Sequence, residues 1–114
     1  MERMFDTPES LPLLFLDRAN AGDLDGILEL YEPGAVVAFP SGLRAAGHRQ
    51  IRRAYAQLFA VQPRFSPGVA RPTLIAGDVA LTATVLPTGT AAEVARRQPD
   101  GTWRWVVDDP AIAY

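Results

Sequence analysis

Two carboxylates, Glu93 and Asp108, have the spacing in this sequence that best suits proton-transfer chemistry. They flank the segment Pro99-Asp100-Gly101-Thr102, and Asp-Gly is typical of a tight β-hairpin turn. If Asp100-Gly101 is a two-residue loop, Glu93 lies directly opposite Asp108 on the paired strands. Two neighbouring carboxylates, one beside apolar residues, raise one pKa and keep a proton available near neutral pH, which a general acid requires.

The competing interpretation of these acids is structural. In that interpretation both carboxylates lie in water at the rim of the sheet, or they form ion pairs with Arg44 or Arg97. A titration of Glu93 discriminates between the two interpretations, because an ordinary carboxylate pKa would exclude the role of acid.

The same two-residue loop predicts the remaining pairs of the hairpin. It places Gln98 opposite Trp103 and Arg96 opposite Trp105, which predicts a guanidinium stacked on an indole. With Thr82 and Thr84, the two tryptophans would then lie on the outer face of the sheet. Exposed tryptophans beside small residues are typical of a contact surface.

His48 is the only histidine, and it lies in the first turn of a predicted helix. The positive end of that helix favours the neutral imidazole, which makes His48 a candidate base. The alternative is an ordinary solvent-exposed histidine. We expect no metal site, because the sequence has no second histidine and no cysteine to join it.

The composition limits the functional classes. With a net charge of −2 over 114 residues, the chain lacks the basic excess of a nucleic-acid binder. No stretch approaches the ~20 apolar residues of a membrane span, and the first residues contain no apolar export signal, so we expect a cytoplasmic protein. All basic residues are arginine, which excludes a Schiff-base lysine. We expect no cofactor.

The apolar spacing predicts three helices before most of the sheet. The first begins at Thr7-Pro8 and ends at Gly22. The second begins with Asp23 as its cap, includes Tyr31 on its apolar face and ends at Pro33-Gly34. The third begins at Gly47, and its buried stripe contains four apolar residues: Ile51, Tyr55, Leu58 and Phe59.

Short runs of β-forming residues predict the strands. They are a strand over residues 35–39, a second short strand over 43–46, an interrupted strand over 64–75, and strands over 79–86, 91–98 and 103–108. The prolines within 64–75 place that strand at an edge or on a bend.

Three motifs then resemble a known family. They are NAGDLDGI at 20–27, the pattern Gly47-x-x-x-Ile51-Arg52-x-x-Tyr55, and the DGTWRW hairpin at 100–105. Together they resemble the SnoaL-like branch of the NTF2-like superfamily, which includes ketosteroid isomerases and polyketide cyclases. The resemblance implies one α+β domain over residues 1–114, a cone of three N-terminal helices packed on a curved, mainly antiparallel sheet that encloses a cavity.

The resemblance also implies roles for individual residues. It turns Glu93 toward the cavity, at the position of the protonated aspartic acid in ketosteroid isomerases, and it matches Tyr55 to a tyrosine that supports that acid. Phe15 replaces the isomerase tyrosine donor, and Phe39 replaces its proton-shuttling aspartate. Because a phenyl ring neither donates nor accepts a proton, we do not expect the isomerase mechanism.

Two functions remain open at this stage. The first is a pocket for a small apolar or polycyclic ligand, lined by Phe15, Tyr31, Phe39, Tyr55, Phe59 and Val106. Any enzyme activity would be cofactor-independent isomerase, cyclase or lyase chemistry, in which Glu93 donates a proton and Asp108 or His48 accepts it. The second is a non-catalytic domain that dimerises or sequesters a ligand, with its cavity closed by side chains. An open pocket of about 300 Å³ favours the first.

The resemblance further implies a homodimer that forms through the outer face of the sheet. We therefore expect a second copy of the chain and a small apolar molecule as partners, and neither nucleic acid nor membrane.

Overall fold

The computed structural model describes residues 6–39, 42–61 and 64–112, and residues 111 and 112 are described by their backbone only. Three helices precede or interrupt the strands: α1 Ser10–Asn20, α2 Leu24–Leu28 and α3 Gly47–Val61. The strands are β1 Tyr31–Ala38, β2 Arg44–Ala46, β3 Val69–Ala70, β4 Leu74–Ala76, β5 Val79–Leu86, β6 Gly89–Arg97 and β7 Trp103–Ile112. This is the α+β arrangement that the sequence predicts.

The strands of the described residues form one sheet with the order β2-β1-β7-β6-β5-β3, and β4 also pairs with β5. All described pairs are antiparallel except β1 with β7, which run parallel. The helices contact β1, β2 and β7, and the core lies between them and one face of the sheet. None of the described helices is long and apolar enough to span a bilayer.

The second helix is shorter than its apolar spacing predicts. Asp23 caps it as expected, because its carboxylate accepts a hydrogen bond of 2.9 Å from the Gly26 N–H. The helix ends at Leu28, however, and Tyr31 begins β1. The placement of Tyr31 on the helix was therefore wrong. The helical spacing from Leu24, Ile27 and Leu28 does not distinguish the two cases, because a buried Tyr31 also fits the start of a strand that enters the core.

The β6–β7 hairpin has a three-residue loop, where the sequence analysis assumed two. The Gln98 N–H donates to the Thr102 carbonyl at 2.6 Å, and Gly101 adopts a positive φ of 87°. The extra loop residue shifts the register by one, so that Arg97 pairs with Trp103 and Arg96 with Arg104. The predicted stacking of Arg96 on Trp105 is wrong for this reason. Arg96 instead donates hydrogen bonds of 2.8 and 3.1 Å to the Glu32 carboxylate.

A bulge at Val106 restores the original register. Ala95 pairs with Trp105, whereas Val94 pairs with Val107 and Glu93 with Asp108. A one-residue slip turns every side chain of a strand to the opposite face, so the loop and the bulge together turn the tryptophans inward. Trp103 and Trp105 are 5% and 2% exposed, and they do not lie on the outer face as predicted.

Strand β5 also presents to the core the face that was predicted to be outside. The small residues Ala80 and Thr82 face the core and are buried, while Val79, Leu81 and Val85 are exposed on the outer face. The aromatic rings that fill the inside of the cone leave room only for small side chains on this strand. The outer face consequently carries the larger aliphatic residues.

Candidate functional site

One row of side chains crosses the inner face of the sheet and contains both candidate acids. The strand registers place Val37 next to Asp108, Asp108 next to Glu93, and Glu93 next to Thr82. Cross-strand partners have their Cβ atoms about 4.5–5.5 Å apart. All four residues of this inner row are buried, so the two carboxylates are neighbours inside the protein.

Glu93 lies near the centre of the inner row and is 5% exposed. The Thr82 hydroxyl donates a hydrogen bond of 2.6 Å to Oε1 of Glu93. Burial raises the pKa of Glu93 to about 7, although the hydrogen bond from Thr82 lowers it somewhat. Glu93 therefore holds a proton over part of the neutral range. It has no ion pair with Arg97, which binds Asp78 at 2.7 Å instead.

Asp108 is the second buried acid of the inner row. Its Oδ2 accepts a short hydrogen bond from the Tyr31 hydroxyl, while its Oδ1 is buried with no hydrogen-bond partner among the described residues. Burial raises the pKa of Asp108 well above its ordinary value, and the charge of Glu93 raises it further. Two buried carboxylates that lie next to each other favour a state in which the pair retains a proton.

Two tyrosines connect Asp108 to the third helix. Tyr31 begins β1, and its hydroxyl lies 2.7 Å from the hydroxyl of Tyr55 on α3. Both rings are fully buried, and burial raises the pKa of each phenol well above its ordinary value. The hydroxyls therefore stay protonated, and that of Tyr31 donates to Asp108 while that of Tyr55 bonds to Tyr31.

A cluster of aromatic rings fills the space beside the inner row. Tyr55 is its centre and lies with ring centroids 5.2–6.3 Å from the rings of Phe15, Tyr31, Phe39 and Phe59. Phe65 packs on Phe15 and Phe59, with centroid distances of 6.0 and 5.7 Å. The predicted wall residues thus do come together, but they contact one another.

The cleft that reaches the acids has other walls than the predicted apolar pocket. A cleft of about 250 Å³ reaches Glu93 and Asp108, yet its other walls are mostly outer-face residues such as Val36, Leu81 and Val107. Among the described residues, the aromatic rings pack on one another and none of them lines this cleft.

The other predicted site residues have different surroundings. The His48 ring nitrogen lies 2.9 Å from the Tyr31 carbonyl, which ties the start of α3 to β1. Val106 forms the bulge of β7 and does not pair with Ala95. No group of three histidine or acidic residues in the described ranges is arranged to hold a metal ion.

The family assignment agrees with this architecture. The sequence model of the SnoaL-like domain matches residues 14–114. The chain belongs to the SnoaL-like domain family. It matches none of the curated proteins with which it was compared.

Solved structures of low sequence identity have the same fold as this chain. A protein from Thiobacillus denitrificans, described as a calcium/calmodulin-dependent protein kinase type II association domain, has a TM-score of 0.77 at 21% identity and covers 97% of this chain and 100% of its own. A ketosteroid isomerase-like protein from Erwinia carotovora has a TM-score of 0.77 at 13% identity, with 97% of each chain covered. An NTF2-like protein with a cystatin-like fold from Novosphingobium aromaticivorans has a TM-score of 0.67 at 19% identity, covering 90% of this chain and 77% of its own.

Thr82 and Trp105 are the site residues that sequence reasoning missed in this SnoaL-like domain. Both were assigned to the outer face, yet Thr82 binds Glu93 and the Trp105 ring lies 5.2 Å from that of Tyr31. For Thr82 a signal was available, because a threonine opposite a buried acid supplies the hydrogen bond that the acid needs.

Proposed function

We propose that this SnoaL-like protein binds a small apolar molecule through an oxygen atom, with the Glu93–Asp108 pair as the hydrogen-bond donor. The observation that carries the proposal is the direct pairing of these two buried carboxylates on the inner face of the sheet. Burying acids is costly unless they are neutral or well paired. No arginine offsets either of them among the described hydrogen bonds and ion pairs.

A proton on the pair is what makes it suitable for binding a neutral ligand. A carboxylic acid donates a hydrogen bond, whereas a carboxylate only accepts. Because the pKa of Glu93 is raised to about 7 and that of Asp108 is raised as well, the pair retains a proton at neutral pH. A ketone, ester or ether oxygen is the matching acceptor.

The aromatic cluster defines where such a ligand would enter. Phe15, Phe59 and Phe65 are only partly buried, while Tyr31 and Tyr55 are fully enclosed. We propose that the ligand takes the place of these three half-buried rings and stacks on Tyr55. A flat, fused-ring molecule would restore most of the contacts that the displaced rings lose.

The chemistry that this arrangement supports is proton transfer without cofactor, as in isomerases, cyclases and lyases. Glu93 would donate its proton to the ligand oxygen, and Asp108, as the carboxylate of the pair, would accept a proton from a neighbouring carbon of the ligand, so that the pair gives up one proton and gains one. His48 is the weaker candidate for the base, since its ring nitrogen contacts the Tyr31 carbonyl. The ketosteroid isomerase mechanism is not proposed, because Phe15 and Phe39 stand where that family has its donor and its base.

The test compares two matched probes, 2-acetylnaphthalene and 2-ethylnaphthalene, which differ only in the carbonyl oxygen. Binding is followed by tryptophan fluorescence, since Trp105 lies 6.0 Å from Phe15 in the cluster. We expect the ketone to bind about tenfold more tightly below pH 7, the value of one hydrogen bond to an acid. That advantage should fade above pH 7 as Glu93 loses its proton.

Two variants control this experiment. Glu93→Gln keeps an amide donor at every pH and should abolish the pH dependence. Glu9→Gln removes an equal charge at an exposed position and should leave it unchanged. Failure of both probes to bind saturably, or an unchanged pH profile in Glu93→Gln, would contradict the proposal.

A second function, a dimerising domain, is favoured by the outer face of the sheet. The registers align Val36, Val107, Val94, Leu81 and Leu74 in one row across five strands. We name this the outer apolar row. Four of its members are large hydrophobics between 38% and 65% exposed. Such a continuous apolar row is typical of an interface.

We propose a second copy of the chain as the partner of the outer apolar row. A two-fold contact would bury the exposed Val36, Leu81 and Val107 of both copies at once. The closed aromatic cluster and the Thiobacillus protein's description as an association domain support this function.

Light scattering with size-exclusion chromatography tests the dimer. We expect a dimer mass for the natural chain and a monomer mass for Leu81→Glu. Leu13→Glu introduces the same charge at a residue of α1 that is 71% exposed, and it should remain dimeric. A monomeric natural chain at micromolar concentration would contradict this second function.

A further inference from the structure

A second cleft lies outside the cone, between β2 and α3. Its volume is about 400 Å³. One wall comes from residues 43–45, and the other is a single face of α3 formed by Gln50, Arg53, Ala54 and Gln57. These four α3 residues recur at intervals of three and four, as expected for one helical face. The cleft is therefore formed where β2 packs against α3.

The cleft floor is apolar and its rim is basic. Ala45 and Ala54, at 1% and 5% exposure, are small enough to leave the cleft open between the two elements. Arg44 and Arg53 stand on opposite walls and are exposed. None of the described residues that line the cleft is an aspartate or a glutamate.

Half of the ten described arginines have a side-chain partner, and the two arginines of the cleft belong to the other half. Four other arginines form ion pairs: Arg18, Arg52, Arg96 and Arg97. Among the described residues, neither Arg44 nor Arg53 has an ion pair or a hydrogen bond from its side chain. Both cations line this cleft, and Arg44 also borders the outer cleft that contains Asp109.

The amide side chains complete a set of hydrogen-bond donors. Gln50 accepts a hydrogen bond of 2.9 Å from the Ala46 N–H through its Oε1, which leaves its amide nitrogen to donate. Gln57 adds a second amide on the next turn. Two guanidinium groups and two amide donors around an apolar floor match an oxyanion attached to an apolar body.

We infer that the β2–α3 cleft binds a small organic oxyanion, a carboxylate or a phosphate monoester, between Arg44 and Arg53. The apolar part of the ligand lies on Leu43, Ala45 and Ala54. This site is distinct from the acids inside the cone, because it takes an anion, whereas those acids are proposed to bind a neutral molecule. The two volumes share only Arg44.

The experiment titrates the full chain with phenyl phosphate, benzoate or inorganic phosphate at low salt, observed by amide NMR. We expect saturable shifts at the side-chain amides of Gln50 and Gln57 with at least one organic anion. Tighter binding of phenyl phosphate than of inorganic phosphate shows use of the apolar floor, and the ratio of phenyl phosphate to benzoate identifies the preferred anion. A preference for either of the two organic anions supports the site.

The matched variants are Arg44→Gln, Arg53→Gln and Arg49→Gln. Arg49 is an exposed arginine of the same helix that does not line the cleft. Loss of Arg44 or Arg53 should weaken binding about tenfold, as for one charge-assisted hydrogen bond, and loss of Arg49 by less than about twofold. Glu93→Gln should leave this binding unchanged.

Three results would overturn the inference. They are linear shifts without saturation, equal weakening by Arg49→Gln and Arg53→Gln, and binding of an oligonucleotide at this cleft when both organic anions fail. All three arginines are exposed, so the variants should fold, and unchanged thermal unfolding verifies that they do.

Discussion

The hydroxyl oxygens of Tyr31 and Tyr55 lie 2.7 Å apart, and Tyr31 also donates to Asp108. A phenol has one proton, so Tyr55 must donate to Tyr31 when Tyr31 donates to Asp108. The hydrogen bonds therefore run from α3 through β1 to β7. Tyr31 satisfies two buried groups, whereas Tyr55 satisfies one.

This order predicts unequal costs for removing the two hydroxyls. Tyr55→Phe should lower the free energy of unfolding by about 1 kcal/mol, the net value of one hydrogen bond. Tyr31→Phe should lower it by about 2–3 kcal/mol, because Asp108 and Tyr55 both lose their partner. Urea denaturation measures both values. Equal losses would show that Tyr31 does not join the other two groups.

Glu93 should make the protein less stable as the pH rises. Its pKa is raised from 4.5 to about 7 in the folded state, so folding favours the protonated form. The stability is fully present below pH 4.5 and is lost as the pH rises through about 7. The loss reaches about 3 kcal/mol at most.

Denaturation at pH 5 and pH 8 tests this dependence. Glu93→Gln should flatten the decline between these values, although Asp108, whose pKa is also raised, contributes in the same direction. Glu9→Gln serves as the exposed control. A stability that increases from pH 5 to pH 8 in the natural chain would contradict the buried pair.

Thr82 should tune the acidity of Glu93. Its hydroxyl stabilises the carboxylate through the 2.6 Å hydrogen bond and so lowers the pKa. Thr82→Val removes the hydroxyl at nearly constant volume and should raise the pKa of Glu93 further, while Thr82→Ser should leave it close to the natural value. NMR titration of the Glu93 side chain measures the difference, and identical values in both variants would exclude this role.

Asn20 should hold Phe65 on the aromatic cluster. Its side chain accepts a hydrogen bond of 2.7 Å from the Phe65 N–H and donates one of 3.0 Å to the Phe65 carbonyl. Asn20→Ala removes both and should cost about 1 kcal/mol, since the bonds are exposed. Asn20→Asp keeps the acceptor alone and should show an intermediate loss.

The position of the Phe65 ring gives a second measurement for these variants. NMR contacts between Phe65 and Phe15 should weaken in Asn20→Ala, because the backbone of residue 65 is no longer fixed. Full retention of those contacts would mean that ring packing alone places Phe65.

The sequence predicted the pairing of Glu93 with Asp108, although two details of the hairpin were wrong. The loop has three residues, and Val106 forms a bulge, so the two one-residue shifts cancel before Glu93 is reached. Between them, at Trp103 and Trp105, the uncorrected register put the side chains on the wrong face. A bulge depends on how the strand curves over the core, which local sequence does not specify.

Strand β5 illustrates the same dependence on the whole molecule. Its alternation was evident, but which half faces inward was not, because both halves contain apolar residues. The rings of Phe15, Tyr55 and Trp105 occupy the interior and exclude larger residues than Ala80 and Thr82. The exposed Leu81 therefore marks an outer surface that hydrophobicity alone would have placed in the core.

The sequence by itself determined the order of the main elements, the Asp23 cap, the buried stripe of α3 and the family, because these depend on local spacing and on motifs. The start of α1 at Ser10 and the end of α2 at Leu28 differ from the predicted Thr7-Pro8 and Pro33-Gly34. Only the tertiary structure decided that the aromatic rings pack on one another, that Tyr31 joins Tyr55 to Asp108, and that the tryptophans point inward. Those outcomes depend on how distant segments share one volume, and close packing is settled by all of them together.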